Sequence, residues 1–594
     1  MAYKLRSLIS NKIVQAIEGF PIGGRGLKPS TILPCVQVDS KSGGEPEFGV
    51  SLKALHHLGI FTDHDDSTRS LAHVGSSLVE KLETDTTIPA AYLCQGKTDI
   101  TLKFKVDYSL LASEVISITN NKPKSFWQCS ALINLLPHER VVVEFSSPNI
   151  AKPFHVGHLR STILGNFVAG LHAALGHTVT RINYLGDWGT QFGLLKYGYD
   201  SQNLTESDLK EDAVKKLYKV YVWANRQAES DPSVADTARQ IFNKMERGDP
   251  EALSTWELFR RVSVEDLHGI YHRLNVYFDE YHGESMYGSE KCCEIVKAME
   301  EKGLLEALPD GRKIYETKHG QKVTIVKSDG SMMYLSRDIA GAIERHDKYD
   351  FTKMYYVVEN GQSDHFTHLF RILEQLGYDW VQGLKHIKFG RVQGMSSRKG
   401  TAVFLQNLLD EAQEVMMDKQ EDTQTTKDSA RVSMGKVAER VAVSSIIVGD
   451  LKQRRQRDYI FSWEKALQSR GDTGVKLQYV HCRLVSLERN CGFKYDSEMP
   501  LTPALLTQPP AARLIRELAR FDEVLLETYS ELEPCVLVAY LFTLCGSVNK
   551  ALKQLPVKSA PREVGEARLA MFVAARHTLA AGLNILGVQP LEEM

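Results

Sequence analysis

The sequence predicts an α/β protein, with a parallel sheet in mid-chain, a small α+β domain ahead of it and an all-helical domain behind it. Three observations carry that expectation. Arg140-Val141-Val142-Val143-Glu144-Phe145 reads as a buried strand, a Ser146-Ser147-Pro148-Asn149 turn follows, and a helix repeats apolar residues at 159, 163, 167, 171 and 175 until Gly176 stops it. Strand, loop and long helix in that order open a nucleotide-binding α/β unit. Further strand candidates at 178–184, 353–358 and 386–392 alternate with helical stretches, the pattern of a parallel sheet. Beyond residue 430 amphipathic helices dominate, as where Leu514, Leu518, Phe521 and Leu525 share one face.

These elements divide the chain. Residues 1–123 mix short helices and strands and end on the alternating Ile100–Val106. Residues 124–417 hold the sheet, with a charged, mostly helical insertion over about 205–300. The polar run Asp418–Ser429 is a linker or exposed turn, and 430–594 form the helical domain. At 594 residues with 43% hydrophobic content the chain is long enough for several cores. The balance of 72 basic against 74 acidic residues excludes a global positive field, so a nucleic-acid partner must meet local basic patches. Nine cysteines show no CxxC pair and no zinc spacing, which points to reduced thiols and no structural metal. The most apolar run, Cys535–Cys545, is about half of the ~20 residues a membrane span needs, so no membrane is expected. At the N-terminus Lys4, Arg6 and Lys12 alternate with apolar residues and no acid precedes Glu18. That pattern fits a mitochondrial transit peptide and an amphipathic first helix equally well.

His155 and His158 lie three apart at the start of the helix after the first strand, beside backbone amides that favour anions. Two imidazoles there can donate to a phosphate, and Gly157 between them lets a nucleotide approach the backbone. Alone, a His-x-x-His pair is more often an ordinary surface feature.

The neighbouring residues decide the matter. The run 146–161, from Ser146-Ser147-Pro148-Asn149 through Lys152-Pro153-Phe154-His155-Val156-Gly157-His158 to Ser161, resembles the first signature of class I aminoacyl-tRNA synthetases in its arginyl form. The likeness continues through 183–193, Gly283-Glu284-Ser285, 334–338, 394–400 and 471–479, and is weakest before residue 125. It implies a Rossmann catalytic domain with a helical insertion that serves as an acceptor-stem platform. It further implies a C-terminal helical anticodon-binding domain and an N-terminal domain that touches the tRNA corner. The implied activity is arginine-tRNA ligation with ATP and Mg²⁺. Arginine is activated as arginyl-adenylate, then passed to the terminal adenosine 2′-hydroxyl of tRNA(Arg). Enzymes of this family generally need tRNA bound before they activate arginine. A catalytically retired paralogue that only binds tRNA is the alternative, and the full set of histidines, Lys152 and arginine-site residues speaks against it.

The resemblance also assigns residues. His155, Gly157, His158, Met395, Ser396 and Arg398 are the expected ATP-binding set, and His155, His158, Lys152 and Lys399 the expected catalytic one. The class uses a Lys-Met-Ser-Lys-Ser loop, but here Gly394-Met395-Ser396-Ser397-Arg398 lacks both lysines. In the arginyl family a lysine just before the first signature, here Lys152, is thought to compensate. Asp338 is the expected guanidinium partner, with Tyr334 lining the pocket, Glu284 as second carboxylate, and Asn149 and Gln362 at the α-amino and carboxylate end. Five guanidinium donors call for fixed acceptors in a matching fork. A rival that leaves them unpaired is rejected by roughly 10⁴ to 10⁵. That suffices without proofreading, and no segment is long enough for an editing domain.

For tRNA, Lys452, Arg454, Arg455 and Arg457 form the clearest basic cluster, equally readable as phosphate contacts or as a solvated helix end. Trp463 and Tyr479 are candidates to stack on anticodon bases, with core packing as the alternative. A monomer is expected. The run Phe278–Ser285 and the short tail ending Leu586-Gly587-Val588 look most like the animal mitochondrial form, which places the protein in the mitochondrial matrix, with the cytoplasm as the alternative.

Overall fold

The computed structural model describes residues 2–18, 27–39, 47–60, 68–96, 99–154, 156–318, 320–393, 404–421, 431–468, 471–493, 495–496 and 501–594. The N-terminal residues that read two ways form a helix, Tyr3–Glu18, whose Leu5, Ile9, Ile13 and Ile17 are buried. Beside it lies an antiparallel sheet of β1 (Gln37–Val38), β2 (Glu47–Ser51), β3 (Ala90–Gln95) and β4 (Ile100–Lys105), in the order β1-β2-β4-β3. Arg6 of the first helix is buried and reaches the far end of the chain. Its Nη1 lies 2.6 Å from Asp522 Oδ2, Nη2 pairs with Glu523, and Nε donates to the Val36 carbonyl at 3.2 Å. Ser130 Oγ donates to the same Asp522 oxygen at 2.6 Å, so one carboxylate joins three segments distant in sequence.

The central sheet is parallel throughout: β5 (Arg140–Glu144), β6 (Thr178–Leu185), β7 (Glu280–Gly283), β11 (Lys353–Glu359) and β12 (Leu384–Phe389), in the order β12-β11-β5-β6-β7. Four of the five strands follow the predicted apolar runs. The edge strand β7 lies inside the stretch read as helical. It is only four residues long and half buried, so its composition carries no strand pattern. The long helices Ala213–Ser230, Pro232–Glu246 and Pro250–Arg273 fill the space between β6 and β7. Between β7 and β11 an antiparallel sheet of β8 (Leu305–Ala307), β9 (Lys313–Glu316) and β10 (Lys322–Val326) adds a feature the patterning did not announce.

The C-terminal part is helical apart from β14 (Tyr459–Ile460), which pairs in parallel with β13 (Val392–Gln393) just beyond β12. Leu514, Leu518, Phe521 and Leu525 are all buried, but on two consecutive helices, Pro509–Ala519 and Phe521–Glu531. Helix Pro534–Gln554 exceeds the apolar run inside it and is, by length and composition alone, long enough to cross a membrane. Its Leu537, Val538, Leu541, Leu544 and Val548 pack into the helical domain's core. All nine cysteines are free thiols.

Removing one side of a buried ion pair leaves the other charge stranded in the interior. Arg6→Ala should therefore lower the unfolding free energy by about 3 to 5 kcal/mol in urea titration. A loss under about 1 kcal/mol, the scale of an exposed pair, would show that the first helix is not held through this contact.

Candidate active site

In an open parallel sheet, ligands bind at the carboxyl ends of strands where the connections diverge to opposite sides. Here that point lies between β5 and β11, because β5 connects through helix Val156–Ala174 to β6, and β11 through helix Ser363–Leu376 to β12 on the other flank. The loop after β5 is strained. Ser146, Ser147 and Ala151 have φ of 72°, 49° and 58°, a left-handed region that costs side-chain-bearing residues on the order of 1 kcal/mol or more each. Surrounding hydrogen bonds hold it. Ser146 N donates to Ser161 Oγ at 3.0 Å, Ser147 N to Asn183 Oδ1 at 3.1 Å and Ala151 N to Ser263 Oγ at 2.9 Å. The buried Tyr271 hydroxyl ties two of these points, 2.6 Å from Ser146 Oγ and accepting from Asn183 Nδ2 at 2.9 Å.

The strained turn delivers Asn149 to the mouth of the crevice. Its neighbours pair with the end of β6: Gly186 N donates to the Pro148 carbonyl at 3.1 Å and Ile150 N to the Gly186 carbonyl at 3.2 Å. A Cβ on Gly186 would stand 2.2 Å from Asn149 Oδ1, so a side chain here would push the Asn149 amide aside. Next in sequence, Asp187 is wholly buried and gathers three elements. It accepts from Arg260 Nε at 3.1 Å, Ser285 N at 2.9 Å and Ser285 Oγ at 2.9 Å, and its carbonyl accepts from Trp256 Nε1 at 2.7 Å. A Cβ on Gly283 would lie 2.0 Å from the same carboxylate, so Gly283 keeps β7 close enough for Ser285 to bond.

That clamp sets Glu284 beside the start of helix Tyr334–Tyr349. Burial pushes the Glu284 carboxyl up to about 7; Arg337 opposes the shift from 3.9 Å, while Asp338 and Asp187 add to it. Asp338, one helical turn after Tyr334, also contributes to raising Tyr184, which burial holds well above the ordinary phenol range. Tyr334 itself is 57% exposed. Gln362, exposed, ends the turn after β11 on the other side of the crevice. The structure thus brings Asn149, Glu284, Tyr334, Asp338 and Gln362 to one end of one sheet. The setting around Glu284 and Asp338 is acidic, with the Tyr184 phenol buried close by.

At the nucleotide end, helix Val156–Ala174 presents its first amides, Gly157 is exposed and His158 is half-buried against the Phe154 ring at 5.2 Å. Lys152 is half-buried, and its ammonium lies 5.0 Å from the centre of the Tyr221 ring on the inserted helices. His155, Met395, Ser396, Arg398 and Lys399 lie outside the described residues, as does the Trp463 side chain.

The basic cluster needs one correction. Lys452, Arg454 and Arg457 are exposed, but Arg455 is turned inward, donating to the Lys388 carbonyl and lying 3.8 Å from Glu533 Oε1. A guanidinium spent on holding β12 is not available to an RNA phosphate. Tyr479 is 53% exposed, with Arg483 over its ring at 5.7 Å. Away from the crevice, Glu139, His172 and His177 bring potential metal ligands within 4.8 Å of one another. Lys353 already pairs with Glu139 at 2.7 Å, and His177 Nδ1 accepts the Glu139 N–H at 3.3 Å, which leaves the proton on Nε2. Those contacts make the cluster a packed domain junction rather than a cation site.

Several contributors escaped sequence reasoning. Tyr271, Ser263 and Arg260 lie on helix Pro250–Arg273, where nothing in their spacing separates them from surface residues. His365, one turn after Gln362, was findable as a polar i, i+3 pair at a helix start.

Comparison with known proteins agrees with this fold. Residues 128–463 match the family described as tRNA synthetases class I (R), catalytic domain, and residues 477–594 match the DALR anticodon binding domain. A mitochondrial arginine–tRNA ligase of Homo sapiens is 42% identical over 552 residues, covering 92% of this chain and 93% of that protein. The cytoplasmic arginine–tRNA ligase of Saccharomyces cerevisiae is 40% identical over 507 residues, covering 83% and 82%. Among solved structures, the arginyl-tRNA synthetase of Thermus thermophilus superposes with a TM-score of 0.76 at 22% identity, covering 99% of this chain and 100% of that one, and so supports the fold. With both family domains present in order and relatives this similar over nine-tenths of its length, the chain belongs to the arginyl family of class I aminoacyl-tRNA synthetases.

Proposed function

We propose that this chain charges tRNA(Arg) with arginine in two steps at the β5/β11 crevice. The observation that carries the reading is the carboxyl pair: burial, with Asp338 adding to it, raises Glu284 to about 7, and a cation bound there would favour its ionised form. A guanidinium fits because it is planar and always charged, and brings five donors to acceptors that water cannot fully satisfy. Asp338, Glu284 and Tyr334 receive that end of the substrate, while Asn149 and Gln362, at the mouth of the crevice, hold the α-amino and carboxylate end.

In the first step a substrate carboxylate oxygen attacks the α-phosphate of ATP, forming arginyl-adenylate and releasing pyrophosphate. Chemistry of this kind asks mainly for positioning and for donors aimed at the growing phosphate charge. The helix amides at Val156–Gly157, His158, His155 and Lys152 supply them, with Met395, Ser396, Arg398 and Lys399 on the signature loop. Donors of this kind would hold the oxygens of a triphosphate, and a Mg²⁺ carried by that triphosphate would supply further charge to them. In the second step the terminal 2′-hydroxyl of the tRNA attacks the arginyl carbonyl and AMP leaves. Exposed Lys452, Arg454 and Arg457 and the Tyr479 ring are the contacts we assign to the tRNA. We take a monomer as the working unit.

We place the enzyme in the mitochondrial matrix, on the likeness to mitochondrial relatives and the basic, acid-poor first helix. Processing beyond Glu18 would remove Arg6 and its partners' neutralising charge.

Two outcomes are expected. Arginine-dependent ATP–pyrophosphate exchange should appear only with tRNA(Arg) present; tRNA binding with no exchange or charging under any condition would favour the retired paralogue. A cation binds the ionised form of Glu284, so arginine affinity should be full above pH 7 and fall in acid. The arginine KM should rise about tenfold per pH unit below about 7. Glu284→Gln should flatten that rise, and an unchanged slope in the variant would assign the proton elsewhere.

A further inference from the structure

His365 lies on the first turn of helix Ser363–Leu376, and its Nε2 stands 2.7 Å from Asp338 Oδ2 on the facing helix Tyr334–Tyr349. We infer that His365 is a positioning residue for arginine recognition: it locks the Asp338 carboxylate in the orientation that presents a fork to the guanidinium. This rests on the assignment of Asp338 to the arginine pocket.

An ionised carboxylate only accepts, so the hydrogen of this contact sits on Nε2. Each carboxylate oxygen has two lone pairs. A donor on Oδ2 therefore fixes the plane of the group and leaves three acceptor positions, enough for a guanidinium fork. Without that donor, Asp338 sits one quarter exposed on the first turns of its helix and is free to rotate about χ1 and χ2. Arg337, the adjacent cation, does not take the role: it faces Glu284 and Glu246, each at 3.9 Å.

His365 is itself held. Its ring meets Phe366 edge-on at 5.4 Å between centroids, and Phe366 is buried against Tyr356 and His386. The same short stretch carries Gln362, so the residue assigned to the substrate's carboxylate end and the one that aims its guanidinium partner are one helical turn apart. A shift of this helix start moves both ends of the pocket together. For a fork-shaped ligand such rigidity matters, because a small misalignment loses one of two parallel hydrogen bonds.

The test uses the full chain with saturating tRNA(Arg) and measures arginine-dependent ATP–pyrophosphate exchange. His365→Phe keeps the ring and its packing on Phe366 but has no donor; His365→Gln restores an N–H near the Nε2 position. The Phe variant should raise the arginine KM about tenfold, with kcat and the ATP KM within about twofold of the parent, and the Gln variant should recover most of the loss. An unchanged arginine KM in the Phe variant, equal losses in both variants, or a fall in kcat with KM unchanged would each overturn the assignment. Asp338→Asn, run in parallel, separates this inference from the reading beneath it. If it leaves the arginine KM unaltered, the pocket is misplaced; if it raises KM while His365→Phe does not, only the role of His365 fails.

Discussion

The site depends on one buried cation. Arg160 lies on the helix that begins at the nucleotide signature, with 1% of its surface exposed. Its Nη1 donates to the carbonyls of Gly390 and of Arg457, the latter at 2.9 Å, and its Nη2 to that of Arg454 at 3.4 Å. Nε lies 3.4 Å from Asp450 Oδ2, and the guanidinium rests over the Tyr459 ring at 5.1 Å. A charge this deep is tolerated only beside a counter-charge and good acceptors, and only a planar fork reaches that many carbonyls at once. Three parts of the chain therefore share one geometry: the nucleotide helix, the exit of β12, and the end of the long helix Arg431–Leu451.

That junction has mechanical consequences. The strand exit that Arg160 holds continues through β13 toward the signature loop at 394–400, and β13 is paired with β14 from the helical side. Arg455 adds a second tie by gripping the Lys388 carbonyl. Basic residues that look in sequence like an RNA patch thus alternate between facing outward and locking the catalytic sheet. This segment therefore ties the helical domain both to helix Val156–Ala174 and to the exit of β12.

How much of this the sequence disclosed depends on the kind of signal. Strands β5, β6, β11 and β12 were legible because both faces are buried and their apolar runs are continuous. The edge strand β7 was not, since a four-residue strand with one open side needs no such run. Asn149, Glu284, Tyr334, Asp338 and Gln362 were proposed through resemblance, and the structure brings them to one end of the sheet. The interactions that hold them there were hidden, because Asp187, Tyr271 and His365 meet their partners across 27 to 125 residues. No local pattern encodes a contact at that separation. Likewise no local pattern foretold that Arg6 meets Asp522 at the far end of the chain.

Coupling of the helical domain to the proposed nucleotide site through Arg160 is tested most directly by Arg160→Lys. Lysine keeps the charge beside Asp450 but offers one ammonium where the guanidinium spans several carbonyls. Arginine-dependent ATP–pyrophosphate exchange with saturating tRNA(Arg) should fall at least about tenfold, equivalent to ~1.4 kcal/mol, while tRNA binding stays near that of the parent protein. Exchange at the parent rate in a folded Arg160→Lys protein would contradict this coupling.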